Sequence, residues 1–154
     1  MQRNQVIQAV LLAMVIASSS AGPALAAGSA AYEDQKVVYH NDGSQTDNRK
    51  YFNLLLGNVG NHVAAVGKDH IQVKVVDLSG GVDLLQQAAT EPELAGKIDN
   101  LRAQGVVFLV CKNTLAARNI DWHTLYGVKD TDLVPSGVAE ISRLQQQGYT
   151  YVHP

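Results

Sequence analysis

The chain is poor in the features that would place it quickly. It has one cysteine, which rules out an intrachain disulfide framework and a cysteine-rich zinc site. It has one tryptophan and two phenylalanines in 154 residues, so aliphatic side chains must build most of the core. Charged residues make up 17% and the net charge is −2, with no like-charge block, low-complexity tract or internal repeat. That excludes the basic footprint of a nucleic-acid binder and argues against a charged tail or a repeat array. No apolar run approaches the ~20 residues of a membrane-spanning helix.

What is present begins with residues 1–26. Arg3 supplies a short basic region, residues 6–17 (VIQAVLLAMVIA) are apolar, and Ala24-Leu25-Ala26 forms an A-x-A exit. This is the pattern of a bacterial secretory signal cleaved after Ala26, so a periplasmic or secreted protein with no membrane association after cleavage is expected. An uncleaved N-terminal anchor is the alternative. Residues 27–34 (AGSAAYED) are small and polar and read as a mobile leader, leaving 35–154 as one domain. In an oxidising compartment, one odd cysteine implies intermolecular pairing or a free reactive thiol.

Within the domain, apolar runs alternate with helical patterns. Lys36 to Tyr39 reads as a strand ending in a His40-Asn41-Asp42-Gly43 loop. From Asp47, Tyr51, Leu55, Val59, Val63 and Val66 recur at helical spacing. Residues 70–78 suit a second strand, broken by Ser79-Gly80-Gly81 before a short helix. Thr90-Glu91-Pro92-Glu93 has the form of a capping box with Thr90 at the cap, opening a helix that carries Leu94, Ile98 and Leu101. Val106 to Val110 is the most apolar run, as expected of a central strand covered on both faces. Asn113 is placed to cap a helix through Arg118. Asp132-Leu133-Val134 reads as a short strand, Pro135-Ser136-Gly137 leads into a helix with Val138, Ile141 and Leu144 aligned, and Tyr149 to Val152 reads as a final strand. Strands alternating with helix-length crossovers predict an α/β fold with a mainly parallel sheet covered on both sides.

Ligands of such sheets bind at the carboxyl ends of the strands. The loops there contain His40, Asn41 and Asp42; Ser79 to Gly81; Cys111, Lys112, Asn113 and Thr114; and Ser136 and Gly137. Cys111 has the most chemistry to offer. A thiolate is the reactive form, and helix N-termini and cations such as Lys112 lower a thiol's pKa. The alternative is an inert cysteine filling the strand end, since free cysteines are among the most buried residues. His40 and His123 are candidates to assist the thiol, whereas His62 falls on a helix and reads as packed. Trp122 and Tyr126 read as core packing, or as residues closing a pocket. No HExxH or phosphate-loop spacing occurs, and neither a metal nor a cofactor is expected.

The segments KVVYHNDG, GVDLL, GVVFLVCKNTLAARNI and VPSGVAEISRLQQQGYTYVHP together resemble the DsrE/DsrF-like family, from about Lys36 to Pro154. The resemblance implies a three-layer α/β/α fold with a five-stranded parallel sheet, and homotrimers or homohexamers. It also implies sulfur carriage as a persulfide, on a cysteine at the position of Cys111. The expected partner is then a sulfane-sulfur donor or another small ligand, handled by a carrier and not by a multi-turnover enzyme. His40, Asn41, Lys112, Asn113, Thr114 and Ser136 are the expected lining. The sulfur carriers of this family act in the cytoplasm, while KNTLAAR is similar to a stand-alone exported branch. Two other functions stay open: a non-catalytic binding module for a small ligand or a protein, and a redox sensor built on an intersubunit disulfide.

Overall fold

The computed structural model describes residues 32–43 and 46–154. The segment expected to be a secretory signal and most of the expected leader lie outside them. Strands β1 (Gln35–Asn41), β2 (Ile71–Asp77), β3 (Val107–Cys111), β4 (Leu133–Val134) and β5 (Thr150–Val152) form one sheet in the order β4-β3-β2-β1-β5. Every pair is parallel. The helices are α1 (Asn48–Val66), α2 (Asp83–Ala88), α3 (Pro92–Ala103), α4 (Lys112–Arg118) and α5 (Gly137–Gln146). Among the described residues no helix is long and apolar enough to cross a membrane.

The alternation of each strand sorts its side chains into two cores. Val37 and Tyr39 of β1, Val73 and Val75 of β2, and Phe108 and Val110 of β3 face α1, α2, α3 and Leu115 of α4. Val38, Val76, Leu109 and Cys111 face the other way, against Ile141 and Leu144 of α5. The three-layer sandwich is therefore lopsided, with one helix on its second face. The path explains this. From β1 to β4 the chain steps across the sheet in one direction, so right-handed crossovers put every connecting helix on one side. The return from β4 to β5 runs the opposite way, and the same handedness sends α5 to the other side.

Several local expectations change. The most central strand is β2, with β3 beside it, and Val107 is exposed because α5 does not reach it. Asp47 caps α1 through the Lys50 N–H, but the buried stripe runs through Phe52 and Leu56, with Tyr51 only partly covered. Thr90 does not cap α3: its hydroxyl donates to Gln87 O, and Glu91 holds the cap position without a side-chain bond. Asn113 does not cap α4 either. That helix starts two residues earlier, at Lys112, with Cys111 at the cap.

Val138 points to solvent at 67% exposure, while Leu144, six residues on, is fully buried. A 100° step per residue sets the two on different sides of α5, and the sequence spacing alone does not say which side packs. Leu144→Ala should then cost about 2–5 kcal/mol, and Val138→Ala no more than about 0.5 kcal/mol. Urea unfolding of both variants checks this; equal losses would mean that α5 packs through a different face.

Candidate functional site

The sheet order locates a crevice. β3 is followed by α4 on one face and β4 by α5 on the other, so the chain leaves two neighbouring strands in opposite directions. Ligands of open α/β sheets bind at such a switch point, beyond the carboxyl ends of the strands. Cys111 is the last residue of β3, paired with Val134 at the end of β4. It is thus set in the crevice, on the α5 face.

The local sequence sets what surrounds the sulfur. Pro135 follows β4, and Ser136 then caps α5, its hydroxyl accepting from the Ala139 N–H. This brings Gly137, the first residue of α5, directly over the thiol. A Cβ at Gly137 would lie 3.2 Å from Cys111 Cβ and 3.0 Å from Leu78 Cβ, so a larger residue would crowd the sulfur. Thr114 supports the thiol from the α4 side and is itself buried.

Cys111 is 5% exposed, and burial alone would push its pKa up. The Gly137 N–H, the Thr114 hydroxyl and the N–H groups of Thr114 and Asn113 act in the other direction. Together they outweigh burial and hold the thiol below its ordinary range. The sulfur makes no capping hydrogen bond of standard geometry with α4; those donors favour the thiolate over the thiol.

The expected lining divides accordingly. Asn113 contributes through its backbone while its side chain is exposed, Thr114 contributes its hydroxyl, and Ser136 acts by starting α5. Lys112 is exposed and does not act on the thiol. It lines instead an open groove of about 560 Å³ with Leu115, Ile120, Trp122 and Leu133, which does not include Cys111. Trp122 and Tyr126 pack against the main core, and His123 is exposed, bonded to Asp121.

His40 and Asn41 belong to β1 and not to a loop. They are two strands from β3, about 10 Å across the sheet at ~4.8 Å per strand. His40 Nδ1 meets the Tyr151 hydroxyl at 2.8 Å, and its ring lies 5.0 Å from that of His153, which bonds Asp42. Burial lowers the His40 pKa; Asp42 opposes this and His153 adds to it. Asn41 is fully buried, donating from Nδ2 to Asp77 Oδ1 at 2.6 Å and to Gly81 O at 3.1 Å. It braces the β1 and β2 loops, away from the sulfur. His62 is bonded on both ring nitrogens, to Tyr39 and Gln35. Among the described residues, no three His, Cys, Asp or Glu side chains converge as a metal ion would require.

Sequence reasoning placed Ser79 only in the loop after the second strand and did not single out Arg118. Ser79 has a left-handed backbone (φ 49°), and its N–H donates to Thr114 Oγ1 at 2.9 Å. Arg118 donates to Ser79 O at 2.9 Å and to Asp83 Oδ1 at 2.6 Å. The break in the second strand and the arginine at the end of KNTLAAR were the available signals, but neither shows that the two residues meet.

Among curated proteins no match was found. A solved structure of a protein of unknown function from Methanobacterium thermoautotrophicum is 36% identical. The match covers 79% of this chain and 100% of that one, with a TM-score of 0.66. A cysteine at the switch point of a five-stranded parallel sheet is thus seen together with a match, over residues 10–154, to the sequence model of a family linked to sulfur relay, and the chain belongs to that family, the DsrE/DsrF-like proteins.

Proposed function

We propose that the protein carries sulfane sulfur on Cys111. The observation that supports this most is the placement of Cys111 at the carboxyl end of β3, beside β4 and beneath the first residue of α5. The Cys111 thiolate attacks a sulfane sulfur of a polysulfide. A new S–S bond forms on Sγ, the S–S bond next to it in the donor breaks, and its electron pair leaves on the shortened polysulfide. The persulfide then passes its outer sulfur to an acceptor thiolate, which restores Cys111. Gly137, lacking a side chain, leaves room beside Cys111 that a Cβ would take up, which suits the entry of a slender sulfur chain. The proposal includes export, on the strength of the N-terminal signal pattern, and self-association into a trimer or hexamer, on the strength of the family.

The 5% exposure of Cys111 favours a second reading, in which the thiol only fills the strand end and the fold serves as a binding module. Intact-mass measurement after polysulfide treatment separates the two. Carriage predicts a gain of about 32 Da, one sulfur atom, reversed by a reductant. It also predicts no gain in Cys111→Ser. An unmodified wild type, or an equal gain in the variant, overturns the carrier reading.

A further inference from the structure

β5 has three residues, stands at the sheet edge and pairs with β1 alone. Its approach is anchored, since the buried Tyr149 donates its hydroxyl to Gln72 Oε1 at 3.0 Å. Its far end is tied to the end of β1 by two side-chain pairs. His40 Nδ1 meets the Tyr151 hydroxyl at 2.8 Å, and His153 Nε2 meets Asp42 Oδ1 at 3.0 Å. The His40 ring lies 5.9 Å from that of Tyr151 and 5.0 Å from that of His153. Its other nitrogen, Nε2, is buried without a hydrogen-bond partner.

A neutral imidazole tolerates this arrangement, with the Nδ1 proton given to the Tyr151 oxygen and a bare lone pair on Nε2. The imidazolium does not. It carries a proton on Nε2 as well, and a buried N–H without an acceptor loses its hydration uncompensated. It also sets a positive charge beside a second imidazole, while Asp42, the one carboxylate acting on His40, is already bonded to His153. Tyr51 of α1 completes the titratable groups of this corner, since Asp42 and Tyr151 both act on it. β2 presents Val76 in register with His40, and α5 packs on this face through Ile141 and Leu144, so neither adds a charge.

We propose that His40 is an acid-sensitive latch for the end of the chain, and that its protonation releases residues 150–154 from β1. Both rings against His40 belong to that segment, so its withdrawal gives Nε2 water as an acceptor and makes β1 the sheet edge. Burial holds the His40 pKa below its ordinary value; Asp42 opposes this and His153 adds to it. With the segment released, His40 titrates near ~6.5. Release is therefore favoured as pH falls below about 6.5, and levels off only below the folded pKa. None of this depends on the reading of Cys111.

Hydrogen exchange of the full chain tests it, each rate being compared with that of an unprotected amide at the same pH. From about pH 7.5 to about pH 5, protection over residues 150–154 should fall at least about threefold. The ceiling is about thirtyfold, set by the protonation of a free imidazole of pKa ~6.5 at the lower pH. His40→Gln keeps a polar partner for the Tyr151 hydroxyl but does not titrate, so the same segment should lose less than about twofold. β3 serves as the internal reference. An equal fall in β3 would mean global unfolding and would overturn the proposal, as would no fall, or an unchanged fall in His40→Gln.

If His40→Gln does not fold, the imidazole resonances of the wild type decide. Those of His40 must titrate at least about half a pH unit below the same resonances in the urea-unfolded chain, as a threefold effect requires. A midpoint at or above the unfolded one overturns the latch.

Discussion

Replacing Gly81 with alanine is expected to destabilise the fold by about 3 kcal/mol, at the upper end of what overpacking usually costs. The added Cβ would lie 2.0 Å from Asn41 O, 2.6 Å from Asn41 C and 2.8 Å from Asn41 Cγ. These atoms have little freedom to retreat. Asn41 O accepts the Leu78 N–H at 2.9 Å, and the Asn41 side chain is held by Asp77 and Gly81 O. The turn cannot retreat either, because Gly81 N–H is bonded to Leu78 O and Ser79 is tied to α4. The same substitution at Gly57 of α1 or Gly96 of α3 meets nothing within 4 Å. There the helix should gain up to about 1 kcal/mol, since alanine is the better helix former. Thermal and urea unfolding of the three variants gives the comparison. A Gly81→Ala protein as stable as wild type would mean that the β1 and β2 loops are not packed backbone to backbone.

That contact shows why the site was only partly legible in the sequence. Local patterns carry the elements themselves. Leu55, Val59, Val63 and Val66 announce α1, and the run from Val106 to Cys111 followed by polar residues announces a strand entering a helix. Such patterns also place Cys111 at a carboxyl end, which is where chemistry occurs in this class of fold. They do not carry strand order. Without it, nothing says that β4 lies beside β3, that Gly137 therefore covers the thiol, or that His40 is two strands away.

Polar residues with distant partners mislead a local reading in the same way. His40 and Asn41 look like loop residues because a strand seldom buries an asparagine. Here Asn41 is buried because Asp77, 36 residues later, receives its amide. Ser79 and Arg118 likewise have meaning only as a pair, 39 residues apart. Lys112 is the opposite case. Adjacency to Cys111 in sequence suggested a cationic partner, but the first turn of α4 carries its side chain away from the sulfur, into the groove with Trp122.

The Asn41–Asp77 pair leads to an expected pH effect of similar weight. Asp77 is fully buried, with Oδ1 bonded to Asn41 and Oδ2 without a hydrogen-bond partner. Burial raises its pKa well above the ordinary carboxylate range. The Asn41 amide and, more distantly, Arg102 oppose this without reversing it. In the unfolded chain Asp77 titrates near the usual ~3.9. Between that pH and the raised folded pKa, the folded protein keeps a proton that the unfolded chain has released. Stability must therefore fall as pH rises through this window, and level off only above the folded pKa.

Asp77→Asn removes the titration while keeping an oxygen to accept from Asn41. The difference in unfolding free energy, variant minus wild type, should accordingly grow with pH from about 4 upward, with a limiting slope of about 1.4 kcal/mol per pH unit for one proton. An amide in place of Oδ2 offsets the whole curve by about 1–3 kcal/mol if it too lacks a partner, but does not tilt it. The tilt is thus the quantity to measure, by urea unfolding at several pH values. Groups such as His40 titrate in both proteins and cancel in the difference. Parallel curves would show that Asp77 is ionised in the folded protein, and that the β1 and β2 loops close around a charge instead of a neutral acid.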